Sequence, residues 1–295
     1  MVKNNGFLLQ FADIKLRDNY EIVKLAVNNF GFAIQYASER LRDNKEIAIE
    51  AVKSSGYNLK YLSKRLKKDE SIVLKSLQKN AYSLKYADKS FKKNKPFLFK
   101  IFKFYLGGAS FKYIHNDLKK DKKIVLSALK TYGYAYKDLP KNNKLKYDKD
   151  IIFSAVKQIS FVLKNLDKKF KNDKKIVLMA VKQNGFSLKF ASNNLKADRK
   201  FIFKCVKVSG YSLLHASKNL KNDYKIVLAA IKKYPAALEY ASNLLKKNEK
   251  IVYEAIRRDP FTLQFADKNL LENKVLLNCA QNKNNYSLKY LGLKN

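Results

Sequence analysis

Residues Gly185–Ser209 read GFSLKFASNNLKADRKFIFKCVKVS, and the stretch that follows, Gly210–Tyr234, reads GYSLLHASKNLKNDYKIVLAAIKKY. Gly31–Ser55 reads GFAIQYASERLRDNKEIAIEAVKSS, and a further copy opens at Gly56. These copies start 25 residues apart, a period that marks a stacked repeat architecture. Within one copy the residues spell two short helices. Gly185 suits the C′ position of the preceding helix, where glycine takes a positive φ without penalty. Ser187 is placed to cap the first helix, as are Ser83, Ser212, Thr262 and Ser287 in their copies. Leu188, Ala191 and Leu195 then form one apolar stripe. Asp198 offers a second N-cap, a place held elsewhere by Asp69, Asp121, Asp173 and Asp223, or by Asn44, Asn94 and Asn248. Phe201, Ile202, Cys205 and Val206 make the buried face of the second helix. Neither helix is long enough to stand alone in water, so each depends on its neighbours.

The run L-K-Y-A-S-x-x-L-K-x-D-x-x-I-V-L-x-A-V-K-x-x-G resembles the helical repeat family catalogued as domain of unknown function 4116. The match is close at 188–195, at 238–245, and at 173–181 with Gly185 following, and it extends over nearly the whole chain. The resemblance implies an all-helical repeat protein. It implies no activity and no functional residues that could be carried over.

The expected fold is therefore all-α, an α-solenoid of tandem 25-residue two-helix repeats running as one continuous body over residues 1–295. The first copy begins at Gly6, with Leu8 where later copies have serine, so this apolar end is expected either to dock a partner or to continue a longer array. In the copy from Ala81, Pro96 fits the first turn of the second helix, and Gly107 and Gly108 lengthen the copy. The copy at 133–159 lacks the Ala-Ser pair and has Pro140 where the first helix should continue. A broken helix and a polar surface loop around 141–146 are expected there; a tolerated insertion is the first reading, with a bend between 1–132 and 160–295 or a recognition loop as the alternatives. Residues 285–295 form a half copy.

Two cysteines, no secretory signal peptide and no apolar run near 18 residues point to a reduced, intracellular setting with no membrane span. Cys205 and Cys279 fall on or beside small-residue faces and read as packing residues. The only histidines are His115 and His215, and each occupies a repeat column. No copy gathers histidine, cysteine and acids at metal-ligand spacing, no glycine-rich phosphate loop follows a strand, and no nucleophile has an evident base. The expectation is a protein without catalytic residues, metal or cofactor.

Charge carries the functional signal. The chain has 62 lysines and arginines against 25 acids, a formal +37. Between Ser71 and Leu238 there is no glutamate, and 39 basic residues face 10 aspartates, so +29 lies there. Much of it falls in columns. Lys103, Lys130, Lys157, Lys182, Lys207 and Lys232 recur near the end of the second helix. Lys67, Lys92, Lys119, Lys171, Lys196, Lys221 and Lys246 recur at the end of the first. Lys123, Lys175, Lys200, Lys225 and Lys250 recur near the start of the second. The first two columns have an alternative reading, because lysine near a helix C-terminus caps carbonyls and suits the macrodipole. The third has none, since it lies in a positive first turn that favours acids.

Columns in a solenoid become stripes, with helices roughly 8–10 Å apart. Such stripes suit a polyphosphate backbone. Arginine, the usual residue for bidentate base reading, is scarce. Backbone recognition is thus favoured over a base code. Two aromatic columns also recur. One comprises Phe7, Phe32, Tyr57, Tyr82, Tyr134, Phe161, Phe186, Tyr211, Phe261 and Tyr286. The other comprises Phe11, Tyr36, Tyr61, Tyr86, Tyr113, Phe190, Tyr240, Phe265 and Tyr290. Both stay in phase with the apolar stripe, which favours packing between layers over stacking on bases.

Two partner classes follow. The favoured one is a nucleic acid, RNA first, or a ribonucleoprotein; the other is an acidic protein docked on a scaffold. Anionic membrane surfaces are a weaker third, because no amphipathic segment stands outside the repeats.

Overall fold

The computed structural model describes residues 2–284. The half copy from Asn285, including the expected cap Ser287 and the ring positions Tyr286 and Tyr290, lies outside the described residues. Among those described there are helices and turns but no strand. Eleven copies open at Gly6, Gly31, Gly56, Ala81, Gly108, Gly133, Ser160, Gly185, Gly210, Pro235 and Pro260. Each contributes one main helix, numbered here by copy. These are α1 (Tyr20–Asn29), α2 (Lys45–Ser54), α3 (Glu70–Lys79), α4 (Lys95–Ile101), α5 (Lys122–Thr131) and α6 (Lys149–Gln158). They continue with α7 (Lys174–Gln183), α8 (Arg199–Val208), α9 (Tyr224–Lys233), α10 (Glu249–Ile256) and α11 (Lys274–Lys283). The chain divides into two compact units, Met1–Gln158 with α1–α6 and Ile159–Asn295 with α7–α11. In each unit successive main helices pack against one another, as an α-solenoid requires.

The main helices are as the sequence predicts. Asp69, Asp121, Asp173, Asp198 and Asp223, and Asn44, Asn94 and Asn248, each accept from a backbone N–H in the first turn of the following helix. Phe201, Ile202, Cys205 and Val206 are buried. Pro96 stands in the first turn of α4. That helix stops at Ile101, and the lengthened connection passes through Leu106 at φ 55°, the one non-glycine residue with positive φ among those described.

The first helix of each copy is different from the expectation. In the eighth copy a six-residue 3-10 turn, Gly185–Phe190, ends at Ala191, whose ψ of 159° is extended. Ser192 then caps a separate short helix, Asn193–Ala197, its Oγ accepting from the Leu195 N–H at 3.2 Å. The Ala-Ser pair breaks the helix because a serine side chain that satisfies a nearby N–H competes with helical continuation. Leu188, Ala191 and Leu195 are still all buried, so the apolar stripe survives the break.

Two corrections follow. Ser187 caps nothing. It is fully buried, like Ser83, Ser212 and Thr262, and the hydroxyls of Ser83, Ser187 and Ser212 find no partner. Asn184 accepts from the Phe186 N–H instead. Glycine at the start of a copy also does not serve a positive φ; none of the eight described glycines has one. It provides room. A Cβ on Gly56 would stand 2.1 Å from the Ser76 carbonyl oxygen in the last turns of its own copy's main helix.

The serines at the Ser192 position also stitch the copies together. The Ser192 N–H donates to the Lys171 carbonyl at 2.9 Å, and Ser192 Oγ donates to Asn172 Oδ1 at 2.5 Å. Ser217 and Ser242 repeat the backbone bond to Lys196 and Lys221, each at 2.9 Å. In the irregular copy the expected polar loop is only partly on the surface. Residues 144–147 form a 3-10 turn, and Asn143 is buried. Asn143 Nδ2 donates to the Lys119 carbonyl at 2.7 Å, so a side chain replaces the missing backbone donor.

Candidate nucleic-acid interface

The three lysine columns have three different environments. Lys175, Lys200, Lys225 and Lys250, with Lys123 in the first unit, are exposed at the second residue of their helices. Lys130, Lys157, Lys182, Lys207 and Lys232 are exposed at the penultimate residue of theirs. Lys103 is exposed too, but lies beyond the shortened α4. Lys175 and Lys182 are separated by seven residues, as are Lys200 and Lys207, and Lys225 and Lys232. Seven residues is close to two full turns, so each pair shares one helix face, about 10.5 Å apart along the axis.

The column at the end of the short helix is different. Lys171, Lys196 and Lys221 are half-buried, and Lys119 is only 7 % exposed. Burial pushes the ammonium pKa of Lys119, Lys196 and Lys221 down from its ordinary value. Lys92 Nζ donates to the Lys85 carbonyl at 2.8 Å and Lys119 Nζ to the Lys112 carbonyl at 3.1 Å. These cations close the carbonyl end of the 3-10 turn in their own copy. Lys171, Lys196 and Lys221 share the half-buried position, where burial favours a packing role beside any surface one.

A fourth column takes up several of the aspartates. In five copies the residue that opens the main helix pairs with the aspartate capping the next. Lys45 reaches Asp69 at 2.7 Å, Lys95 reaches Asp121 at 2.8 Å, and Lys122 reaches Asp148 at 2.8 Å. In the second unit Lys174 reaches Asp198 at 2.6 Å and Arg199 reaches Asp223 at 2.5 Å. The aspartates are thus spent on this column and on helix caps. Among the described residues Lys175, Lys200, Lys225 and Lys250 form no ion pair. The helices α7, α8 and α9 together carry ten lysines and arginines and no acid. Between α7 and α8 the surface forms a groove of about 290 Å³ lined by Lys174, Lys175, Leu178, Lys200, Phe201 and Lys204. The field weakens at α10, where Glu249 stands beside Lys250 and Glu254 holds Arg257 at 2.5 Å and Arg258 at 3.0 Å.

The aromatic columns pack layer on layer, as expected, but on the surface rather than in the core. Phe32 stacks on Tyr57 with centroids 6.0 Å apart, and Phe186 lies 5.2 Å from Tyr211. Tyr211 in turn stacks on Tyr234 at 4.1 Å. Phe186 keeps 41 % of its surface exposed. Along this ladder runs a lysine row that the sequence reading missed, Lys60, Lys85, Lys112, Lys137, Lys164 and Lys189, all exposed. Lys137 Nζ sits 4.3 Å from the Tyr134 centroid and Lys60 Nζ 5.4 Å from that of Tyr61. The signal was present in the recurring L-K-Y and L-K-F triplets. Residues three apart eclipse in a 3-10 turn, which sets Lys137 over the Tyr134 ring.

No group of three or more metal-ligating side chains occurs among the described residues. His115 Nδ1 faces Asp117 at 3.2 Å, and His215 packs edge-on against Phe186 at 5.8 Å. Cys205 is buried, and burial pushes its thiol pKa up to about 12, so it is a packing residue. Cys279 is half-buried. No described helix is long and apolar enough to cross a membrane.

The family described as a domain of unknown function (DUF4116) matches the chain in overlapping tandem segments, at residues 1–42, 19–67, 44–92, 69–106, 94–146, 148–196 and 198–246. The chain belongs to this family. Most matched segments of the DUF4116 pattern run close to twice the 25-residue period, so one family unit takes in two structural copies. No curated protein and no solved structure matches the chain. The DUF4116 match includes α7, α8 and the groove between them, and it ends within the tenth copy.

Proposed function

We propose that this chain is a non-enzymatic basic helical-repeat protein that holds a nucleic acid by its phosphate backbone, RNA in the first place or a ribonucleoprotein. The contact is made by exposed lysine rows, Lys175, Lys200, Lys225 and Lys250 with Lys182, Lys207 and Lys232 in the second unit, and Lys123, Lys130 and Lys157 in the first. One observation carries the reading. Lys175, Lys200 and Lys225 stand without anionic partners in the positive first turn of their helices, where an acid would stabilise the fold. A residue type kept against the local preference points to function. Lysine, as a point charge, suits backbone contacts that carry no base code.

Binding of labelled RNA across a salt series tests the proposal. Six to ten phosphate contacts would lose about 10³–10⁵ in affinity between 50 and 200 mM salt. A Lys175/Lys200/Lys225/Lys250 to glutamate variant should lose the RNA. Equal binding of every polyanion, with release by physiological salt, would defeat it.

A protein scaffold is the second reading, and the first copy favours it. Phe11 is 75 % exposed and Ile14 80 %, with Phe7 and Leu16 beside them in sequence also exposed. A protein partner seated there would bind with little salt dependence, and Phe11→Ser with Ile14→Ser would remove it.

A further inference from the structure

The rows on α7, α8 and α9 are double, and this bears on the form of the nucleic acid. Resting on the nucleic-acid reading above, we infer that the ligand of these three helices is double-stranded RNA, gripped by one lysine row on each of two phosphate strands. Lys175, Lys200 and Lys225 define one row. Lys182, Lys207 and Lys232 define the other, about 10.5 Å away along the helix axes, with helices about 8–10 Å apart within each row.

The strip between the rows is nearly neutral: Leu178 and Met179 on α7, Phe203 and Lys204 on α8, Leu228 and Ala229 on α9. Only Lys204 interrupts it. A single strand presents one line of phosphates and is held by a basic groove with rings on which bases stack. Here the one ring in the strip, Phe203, is half-buried, and Lys207 Nζ lies 4.9 Å from its centroid. The stacked rings of the second unit lie in or beside the 3-10 turns and pair with one another, Phe186 with Tyr211 and Tyr211 with Tyr234.

Two rows flanking a neutral strip match instead the two phosphate strands that border a duplex groove. The strip also offers no base-reading group, since arginine is absent from it and no asparagine or glutamine lies between the rows. B-form DNA is commonly read by an element inserted into its major groove. These lysines sit along the sides of helices packed in series. A-form RNA, with its wide and shallow minor groove, is recognised by shape and by backbone contacts of this kind.

The test compares a 20-base-pair RNA duplex, single-stranded RNA of one of its strands, the DNA duplex of the same sequence and polyglutamate, by fluorescence anisotropy at 150 mM salt. It uses the full chain and two row variants, Lys175→Glu/Lys200→Glu/Lys225→Glu and Lys182→Glu/Lys207→Glu/Lys232→Glu, each checked for helicity by circular dichroism. The expected result is RNA duplex binding at least tenfold tighter than the other probes, weakened tenfold or more by either variant. Single-stranded RNA binding as tightly as the duplex overturns the inference and leaves the nucleic-acid function standing. DNA duplex binding as tightly overturns the A-form assignment, and loss in one row variant alone overturns the two-strand grip. Absence of all nucleic-acid binding at 150 mM salt overturns the proposed function itself.

Discussion

Lys174 lies 2.6 Å from Asp198, the cap of the next main helix, while Lys175 beside it has no anionic partner among the described residues. Adjacent lysines thus separate a structural role from an available charge. The first ties one copy to the next through a carboxylate. The second projects from a helix N-terminus whose own dipole repels it.

The two should respond oppositely to substitution. Lys175→Glu, Lys200→Glu and Lys225→Glu place acids in positive first turns, each worth about 0.3–1 kcal/mol at an exposed site. The triple variant is expected to melt higher than the parent while losing nucleic acid. Lys174→Ala removes an exposed pair and should cost about 0.2–1 kcal/mol with a smaller effect on binding. Calorimetry beside anisotropy reads both, and a triple variant that melts lower would refute the dipole argument.

The capping aspartates set a stability limit in acid. The hydrogen bond from Lys174, helped by the Phe201 amide, holds the Asp198 carboxyl below its ordinary value, and Lys95 does the same for Asp121. Burial works against Asp69, but hydrogen bonds from Lys45, Ser71 and the Ile72 amide still hold it at about 2. A carboxyl with a lower pKa in the folded chain binds fewer protons folded than unfolded. Its stabilisation is complete above the unfolded value near 4 and is lost as pH falls through the folded one. Urea midpoints should therefore be flat from pH 7 to 5 and fall steeply between about 4 and 2. The Asp69→Asn/Asp121→Asn/Asp198→Asn variant should start lower and fall less.

The glycines that open the copies are unequal. A Cβ at Gly56 would meet the Ser76 carbonyl oxygen at 2.1 Å, a backbone atom inside a packed helix. At Gly185 the nearest atoms are side-chain ones of Ser209, the hydroxyl at 2.2 Å, which can rotate aside, and the Cβ at 2.9 Å, which needs only a small shift. Gly56→Ala is expected to cost about 1–3 kcal/mol by overpacking, and Gly185→Ala clearly less. Denaturant midpoints compare them, and equal costs would mean that the helix end yields as readily as a hydroxyl.

Periodicity made the repeat, the main helices and their caps legible, because one strong N-cap and four apolar positions recur in most copies. The first helix was misread for a local reason. Leu188, Ala191 and Leu195 have helical spacing, yet Ser192 spends its hydroxyl on the Leu195 amide and breaks the chain at Ala191. From that break follow the burial of Ser187, the surface aromatic ladder and the missed lysines beside it. Glycine's purpose was also hidden, since sequence shows where a side chain is missing but not what occupies its space. For the candidate interface, exposure could not be read from charge. Sequence separates the column with Lys196 from the column with Lys200 only by place along the helix; the structure adds that the first is half-buried and the second exposed.

That difference gives a test internal to the lysine columns. Lys196 and Lys221 are half-buried and pushed down in pKa by burial, so their methylene stems contribute packing while their ammonium groups are poorly placed for phosphate. Lys196→Ala/Lys221→Ala should lower the denaturation midpoint, change RNA affinity by no more than about threefold, and leave the salt dependence as it was. Lys200→Ala/Lys225→Ala removes two exposed cations and should leave stability nearly unchanged. The slope of log affinity against log salt should fall by about 0.7–0.9 for each phosphate that is no longer neutralised. Matched salt series on the two double variants read the comparison directly. If the half-buried pair flattens the slope as much as the exposed pair, the half-buried column is part of the phosphate track, and the structural role argued for it from burial is wrong.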